Sequence, residues 1–331
     1  MRSIVVVRHG GPEVLELRDV STPTPAANEA LVKVHFAGMN YADLMQRKGL
    51  YPGGPEPPFG AGFEVAGVIE NVGAHVTQWK PGDAVMGMCA AGYSEYAVAD
   101  AGQLLAKPAA LDFKEAAAIP CQYLTAYHAL LTLGRLRHGQ TVLIQAAAGG
   151  LGTLLVQIAT AIGATVIGTC STNDKCDLLR SIGCAHPVNY AEHDFAVDVK
   201  RLTEGRGCDL VIESVGGDVF VKSLECLRPR GRLVTLGFAS GRPRSVQAQY
   251  LLVNSITVSG FHLSAYAADT EAMINALRDL QGWLDSGALR VVVGHTFPLE
   301  QAADAQRLIG ERKTSGKVLL AVSEYSRQRN R

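Results

Sequence analysis

The chain has 331 residues, 47% of them apolar and 19% charged, a globular composition that excludes disorder over nearly the whole length. Lys plus Arg and Asp plus Glu both total 31, so the net charge is zero and the basic surplus of a nucleic-acid binder is absent. No apolar run approaches the ~20 residues of a membrane span. The seven cysteines are odd in number and scattered, with no C-x-x-C pair, which argues against a disulfide framework and for a reducing cytoplasm.

A chain longer than ~250–300 residues predicts two domains. The first 120 residues are β-rich, with short apolar runs over residues 4–7, 30–36, 65–72 and 84–88 separated by glycine and proline turns. The apolar start is too short for a signal peptide and is expected to be a strand. Residues 41–48 alone carry a short helical pattern there. Near residue 121 the pattern changes to alternating helix and strand. The expected helices are 122–132, 150–162, 174–182, 195–203 and 219–227, and the expected strands 141–145, 164–169, 209–213, 232–237 and 256–261. Such a run of βα units predicts an α/β fold with a doubly wound parallel sheet. A helix over 267–285 and a strand over 318–322 are assigned to the first domain. The reading is therefore a β-rich domain from residues 1–121 and 265–331, with a dinucleotide-binding domain, 122–264, inserted in it.

The strongest local signal is Ala146-Ala147-Ala148-Gly149-Gly150-Leu151-Gly152, between a predicted strand and a predicted amphipathic helix. It matches G-x-G-x-x-G incompletely, with Ala147 in the first position. Gly149 would let the backbone approach a pyrophosphate, and Gly152 would let the helix pack close to the strand. The competing reading is a tight strand-to-helix turn that binds nothing. About 20 residues on, an NAD site would carry a carboxylate at the end of the second strand. Here the chain reads Thr169-Cys170-Ser171-Thr172-Asn173-Asp174-Lys175. Ser171 can donate a hydrogen bond and Lys175 a cation to a 2′-phosphate, which points to NADPH. The alternative is a capping serine and a solvated lysine.

Five segments resemble the zinc-independent quinone oxidoreductases (zeta-crystallin type) of the medium-chain dehydrogenase/reductase superfamily. They are Ala37-Gly38-Met39-Asn40-Tyr41-Ala42-Asp43-Leu44, Lys48-Gly49-Leu50-Tyr51-Pro52, Leu124-Thr125-Ala126-Tyr127, the glycine-rich turn, and Arg312-Lys313-Thr314-Ser315-Gly316-Lys317-Val318. The resemblance implies a GroES-like catalytic domain, formed from both chain ends, around a Rossmann domain. It implies NADPH contacts at Asn40, Thr125, Ala148, Gly149, Gly150, Leu151 and Gly152, and at Ser171, Lys175 and Tyr190 around the 2′-phosphate. Ser214, Val215, Phe238, Phe261, His262, Leu263 and Lys313 complete that set. Zinc relatives place a Cys near position 40 and a His-Glu pair near 63–64. This chain has Asn40 and Phe63-Glu64, and only Cys89 lies among its first 120 residues, so no zinc site is expected. Met45 stands where many of these reductases have a Tyr, which leaves open how far their substrate preference transfers.

By the same resemblance Tyr51 aligns with the acid of enoyl-thioester reductases. Tyr51 and Asn40 are the candidate catalytic residues, with Tyr51 as a cleft tyrosine the alternative. Asp43 and Glu64 are read as structural. The expected activity is NADPH-dependent hydride transfer to a quinone or an α,β-unsaturated carbonyl. An enoyl-thioester reductase and an NADPH-binding protein without turnover, of crystallin or vesicle-protein type, are the competing readings. The apolar strand 256–261, last in the sheet, predicts a homodimer.

Overall fold

The computed structural model describes residues 1–266 and 269–323. Its chain divides into two compact units, residues 1–121 with those from 291 on, and Gln122–Arg290.

The first unit is built on the long strand Glu29–Met39. Its Val32 and Val34, and Ala37 beyond a register shift, bury one face beside Val65, Ile69 and Val85. Antiparallel partners are Glu64–Val72, Tyr96–Asp100 and Lys317–Ala321. The register sets Val318 opposite Met39 and Leu319 opposite Gly38, so the chain's late strand lies beside the residue before Asn40. Asn40 is extended at φ −125°, ψ 155° and caps the helix Tyr41–Arg47. Asp43 closes the cap by accepting the Asn40 N–H at 2.7 Å.

The second unit holds a six-stranded parallel sheet. Its spatial order is His186–Asn189, Thr165–Cys170, Thr141–Ile144, Cys208–Glu213, Leu227–Thr235, Thr257–Gly260. The order reverses between the strands at 141 and 208, which creates the crevice at the carboxyl ends where doubly wound folds take ligands. The GroES-like and Rossmann pattern read from the sequence is present.

Several boundaries differ from the sequence reading. The helix expected over 122–132 is an α-helix, Pro120–Tyr127, followed by a π-helical turn, His128–Leu133. Gly134 N–H bonds Ala129 O, the wider spacing of that turn. The expected helix 267–285 starts on residues 267 and 268, which lie outside the described ones; the helix is described as Thr270–Asp285. It belongs to the second unit, not the first. Its buried Ala276 and Leu280 face the same core as Tyr123, whose hydroxyl donates to Ala276 O at 2.5 Å. Tyr127 donates to Asp279 at 2.9 Å. Periodicity marked this helix correctly; it could not say which core its apolar stripe would cover.

Candidate functional site

In the second unit the glycine-rich turn is tied to the neighbouring strand. Ala147 N–H bonds Thr169 O at 2.9 Å, and Ala146 N–H bonds the Thr169 hydroxyl at 3.2 Å. Ala146 takes a left-handed φ of +53°, which reverses the chain in few residues. The three glycines then differ in kind. A Cβ on Gly152 would lie 2.4 Å from Ala147 O and 2.5 Å from Ala146 O, so the helix Gly150–Ala161 sits against the turn only because that side chain is missing. A Cβ on Gly150 would meet the Gln122 amide at 2.4 Å. On Gly149 it would meet only Ala146 O, at 3.5 Å, an ordinary contact. Nothing in the protein's own packing demands glycine at 149, and the bare backbone beside unpaired helix N–H groups fits a pyrophosphate.

At the end of the second strand, Lys175 Nζ donates to Ser171 Oγ at 3.3 Å. Lys175 stands in the first turn of the helix Asn173–Ser181, capped by Thr172. Burial lowers the Lys175 pKa. Tyr190 follows the next strand, its N–H on Cys170 O at 2.9 Å and its side chain exposed. These three residues therefore surround one strand end, with no carboxylate before Asp174.

Ser214 and Val215 follow Cys208–Glu213. Their carbonyls accept from Ala239 and Ser240, which brings the loop after Phe238 alongside. Glu213, fully buried and missed in the sequence, holds this loop: its Oε1 accepts Val215 and Gly216 N–H at 2.7 and 2.8 Å. Phe261 follows the last strand and stacks on Tyr266 at 5.1 Å, which stacks on His128 at 4.9 Å. His262 bonds Ser264 at 2.7 Å, and Leu263 opens a short turn. Thr125 lies on Pro120–Tyr127, half-buried.

The first unit places Asn40 differently from a free ligand-binding amide. Its Nδ2 donates to Glu64 Oε2 at 2.9 Å, and its Oδ1 accepts from Lys317 Nζ at 2.9 Å. Lys317 also pairs with Glu64 Oε2 at 2.6 Å, with both side chains essentially buried. Glu64 Oε1 takes Cys121 N–H at 2.7 Å. Asp43 accepts from Tyr93 at 2.8 Å, and burial pushes its carboxyl up to about 7 against those hydrogen bonds and the Lys317 charge. Lys313, by contrast, is exposed and pairs with Glu311 at 2.7 Å. Tyr51 opens a turn, half-buried, and burial raises its hydroxyl above the ordinary phenol value, so it keeps its proton at neutral pH. Met45 is buried on the helix that Asn40 caps.

Residues 26–109 match the alcohol dehydrogenase GroES-like domain, and residues 150–279 the zinc-binding dehydrogenase family. A quinone oxidoreductase of Pseudomonas aeruginosa is 38% identical over 324 residues, which cover 96% of this chain and 99% of that protein. The chain belongs to the quinone oxidoreductase family of the medium-chain dehydrogenase/reductase superfamily. This quinone oxidoreductase family member is also similar to a 2-haloacrylate reductase from Burkholderia, 35% identical with 96% of this chain and 97% of that one covered. The crystal structure of Escherichia coli quinone oxidoreductase complexed with NADPH superposes with a TM-score of 0.93 at 34% identity, covering 97% and 100%. Although one matching family is described as zinc-binding, no group of three or more His, Cys, Asp or Glu among the described residues could hold a metal ion.

Proposed function

We propose that the chain is an NADPH-dependent reductase that passes hydride to a quinone or an α,β-unsaturated carbonyl without zinc. The observation that carries the cofactor reading is the end of the second strand, where Lys175 and Ser171 stand 3.3 Å apart and the strand-end residues Thr169, Cys170 and Ser171 carry no carboxylate. A carboxylate there would repel a 2′-phosphate; a lysine pairs with it. The NADPH-bound relative supports the same cofactor. NADPH, when bound, would supply the hydride.

The chain's own residues bind and orient. Gly149 and the helix N-terminus take the pyrophosphate, and Glu213 steadies the loop of Ser214 and Val215. Tyr51, protonated at neutral pH, is the proton donor to the reduced acceptor. A conjugated acceptor needs little further polarisation, because its negative charge is delocalised. The 2-haloacrylate reductase supports an activated alkene as acceptor, and the quinone oxidoreductases support a quinone. A zinc-free reaction is supported by Lys317, whose ammonium group already donates to Asn40 Oδ1 and pairs with the Glu64 carboxylate. The unbridged cysteines fit a cytoplasmic protein. A homodimer is supported by the edge strand Thr257–Gly260 and by Leu252 and Val253, which are 79% and 73% exposed on the helix that leads into it.

The test is Lys175→Ala with both cofactors. A charge-assisted bond to phosphate is worth roughly ten- to hundredfold in affinity, so NADPH binding should weaken by about that factor while NADH binding holds. Equal loss for both cofactors would remove the main support for NADPH.

A further inference from the structure

Two cysteines flank the strand end just described. Cys170 is its last residue, and Cys176 lies in the helix that follows. Their sulfurs are 2.8 Å apart, both side chains are buried, and both are thiols. Between them run Ser171 and Lys175, the pair read as the 2′-phosphate contact, and the exposed residues Thr172, Asn173 and Asp174. Cys170 also bonds Thr172 O and Val188 O, and Cys184, in the same layer, bonds Val166 O. The thiol pair and the phosphate contact therefore share one seven-residue segment.

We infer that Cys170 and Cys176 form a reversible dithiol–disulfide centre whose oxidation weakens binding of the phosphorylated cofactor. The effect on affinity rests on the NADPH reading above; formation of the bond does not. The oxidant is a small soluble disulfide, such as oxidised glutathione. The Cys176 thiolate attacks one of its sulfurs, breaks the S–S bond and releases one small thiol, which takes up the proton Cys176 has lost. Cys170 then attacks the Cys176 sulfur of the mixed disulfide and releases the second small thiol. Two electrons and two protons pass from the pair to the reagent. Burial pushes Cys170 up to about 12, so exchange runs from the opened turn and quickens as pH rises.

The bond imposes a fixed dihedral on two side chains that now only touch. It draws the first helical turn, and Lys175 with it, against the strand end, and the Lys175–Ser171 spacing changes. A charge-assisted contact worth roughly ten- to hundredfold is weakened and not removed, so NADPH affinity should fall by about three- to tenfold and NADH affinity by less than about twofold. By linkage, saturating NADPH should resist oxidation by the same factor.

The experiment uses the full chain equilibrated with oxidised glutathione over pH 7–9. Differential alkylation and peptide mass spectrometry locate the bond, and equilibrium binding of NADPH and NADH follows before and after dithiothreitol. A 170–176 crosslink with a reversible, NADPH-selective loss of affinity supports the proposal. No crosslink at pH 9, or a crosslink with unchanged NADPH affinity, overturns it. Cys176→Ala should abolish both effects; an affinity loss that survives in this variant, or in Cys170→Ala, also overturns it. Reduced protein that binds no NADPH at all overturns the cofactor reading, a result distinct from reduced protein that binds it and gains no crosslink.

Discussion

Asn40 is held at both ends of its amide, by a carboxylate and an ammonium that are themselves paired. Removing one member of a buried pair leaves the other charge uncompensated, so Lys317→Met should cost about 3–5 kcal/mol in denaturant unfolding. Adding Glu64→Gln should restore part of that; a double variant no more stable than the single would show that the two charges do not stabilise one another. Asp43 supplies a pH signature. Its folded pKa, about 7, lies above the unfolded value near 3.9. The neutral form is therefore favoured on folding, and the stability it contributes is fully present below pH ~3.9 and lost as pH rises towards 7. Asp43→Asn should flatten the dependence of Tm on pH across that window, and an unchanged slope would assign it to another group. Tyr51→Phe should lower turnover by ~10²–10⁴-fold with an enone, less with a quinone, at constant NADPH affinity. Equal turnover in both assays would make Tyr51 a wall residue. Asn40, Tyr51 and Lys175 could be proposed from the sequence because they sit in local motifs. Lys317 was not, since 277 residues separate it from Asn40 and only strand pairing brings them together.

At the scale of elements, the glycine-rich turn separates packing from binding. Gly152→Ala should destabilise by about 1–3 kcal/mol, because the added carbon meets backbone on both sides and the helix must back away. Gly149→Ala has room and should leave Tm nearly unchanged while weakening dinucleotide binding. If calorimetry finds the two alanines equally destabilising, both glycines serve the turn alone. The long periodic elements, such as Gly150–Ala161 and Glu29–Met39, were readable because 3.6- and 2-residue repeats survive in any context. His186–Asn189 was not, being four residues with a proline, which an outer strand tolerates. The strand expected at 232 starts at Leu227, because Leu227 pairs with Cys208 across a register shift that no propensity reports. The strand read as apolar on both faces exposes Thr257 and Gly260, and the apolar surface lies on the helix before it.

For the whole molecule, the exposed Leu252 and Val253 beside an edge strand predict pairing with a second copy. Light scattering should give a dimer mass at micromolar concentration, and Leu252→Glu with Val253→Glu should give a monomer of normal Tm; a monomeric wild type would end the idea. The two-unit division was visible as a change of grammar near residue 121. The return point was misplaced by some 25 residues, because the last helix of the second unit carries no signal of ownership. The same discontinuity has a consequence for synthesis. Gln122–Arg290 is one uninterrupted stretch and can fold as it leaves the ribosome. The first unit cannot finish then: its central strand awaits Lys317–Ala321, and Glu64 and Asn40 await the ammonium at its start. Until residue 317 is translated, Glu64 lacks the ammonium group it pairs with. The amide read as catalytic is oriented only after the strand that begins at Lys317 has been made.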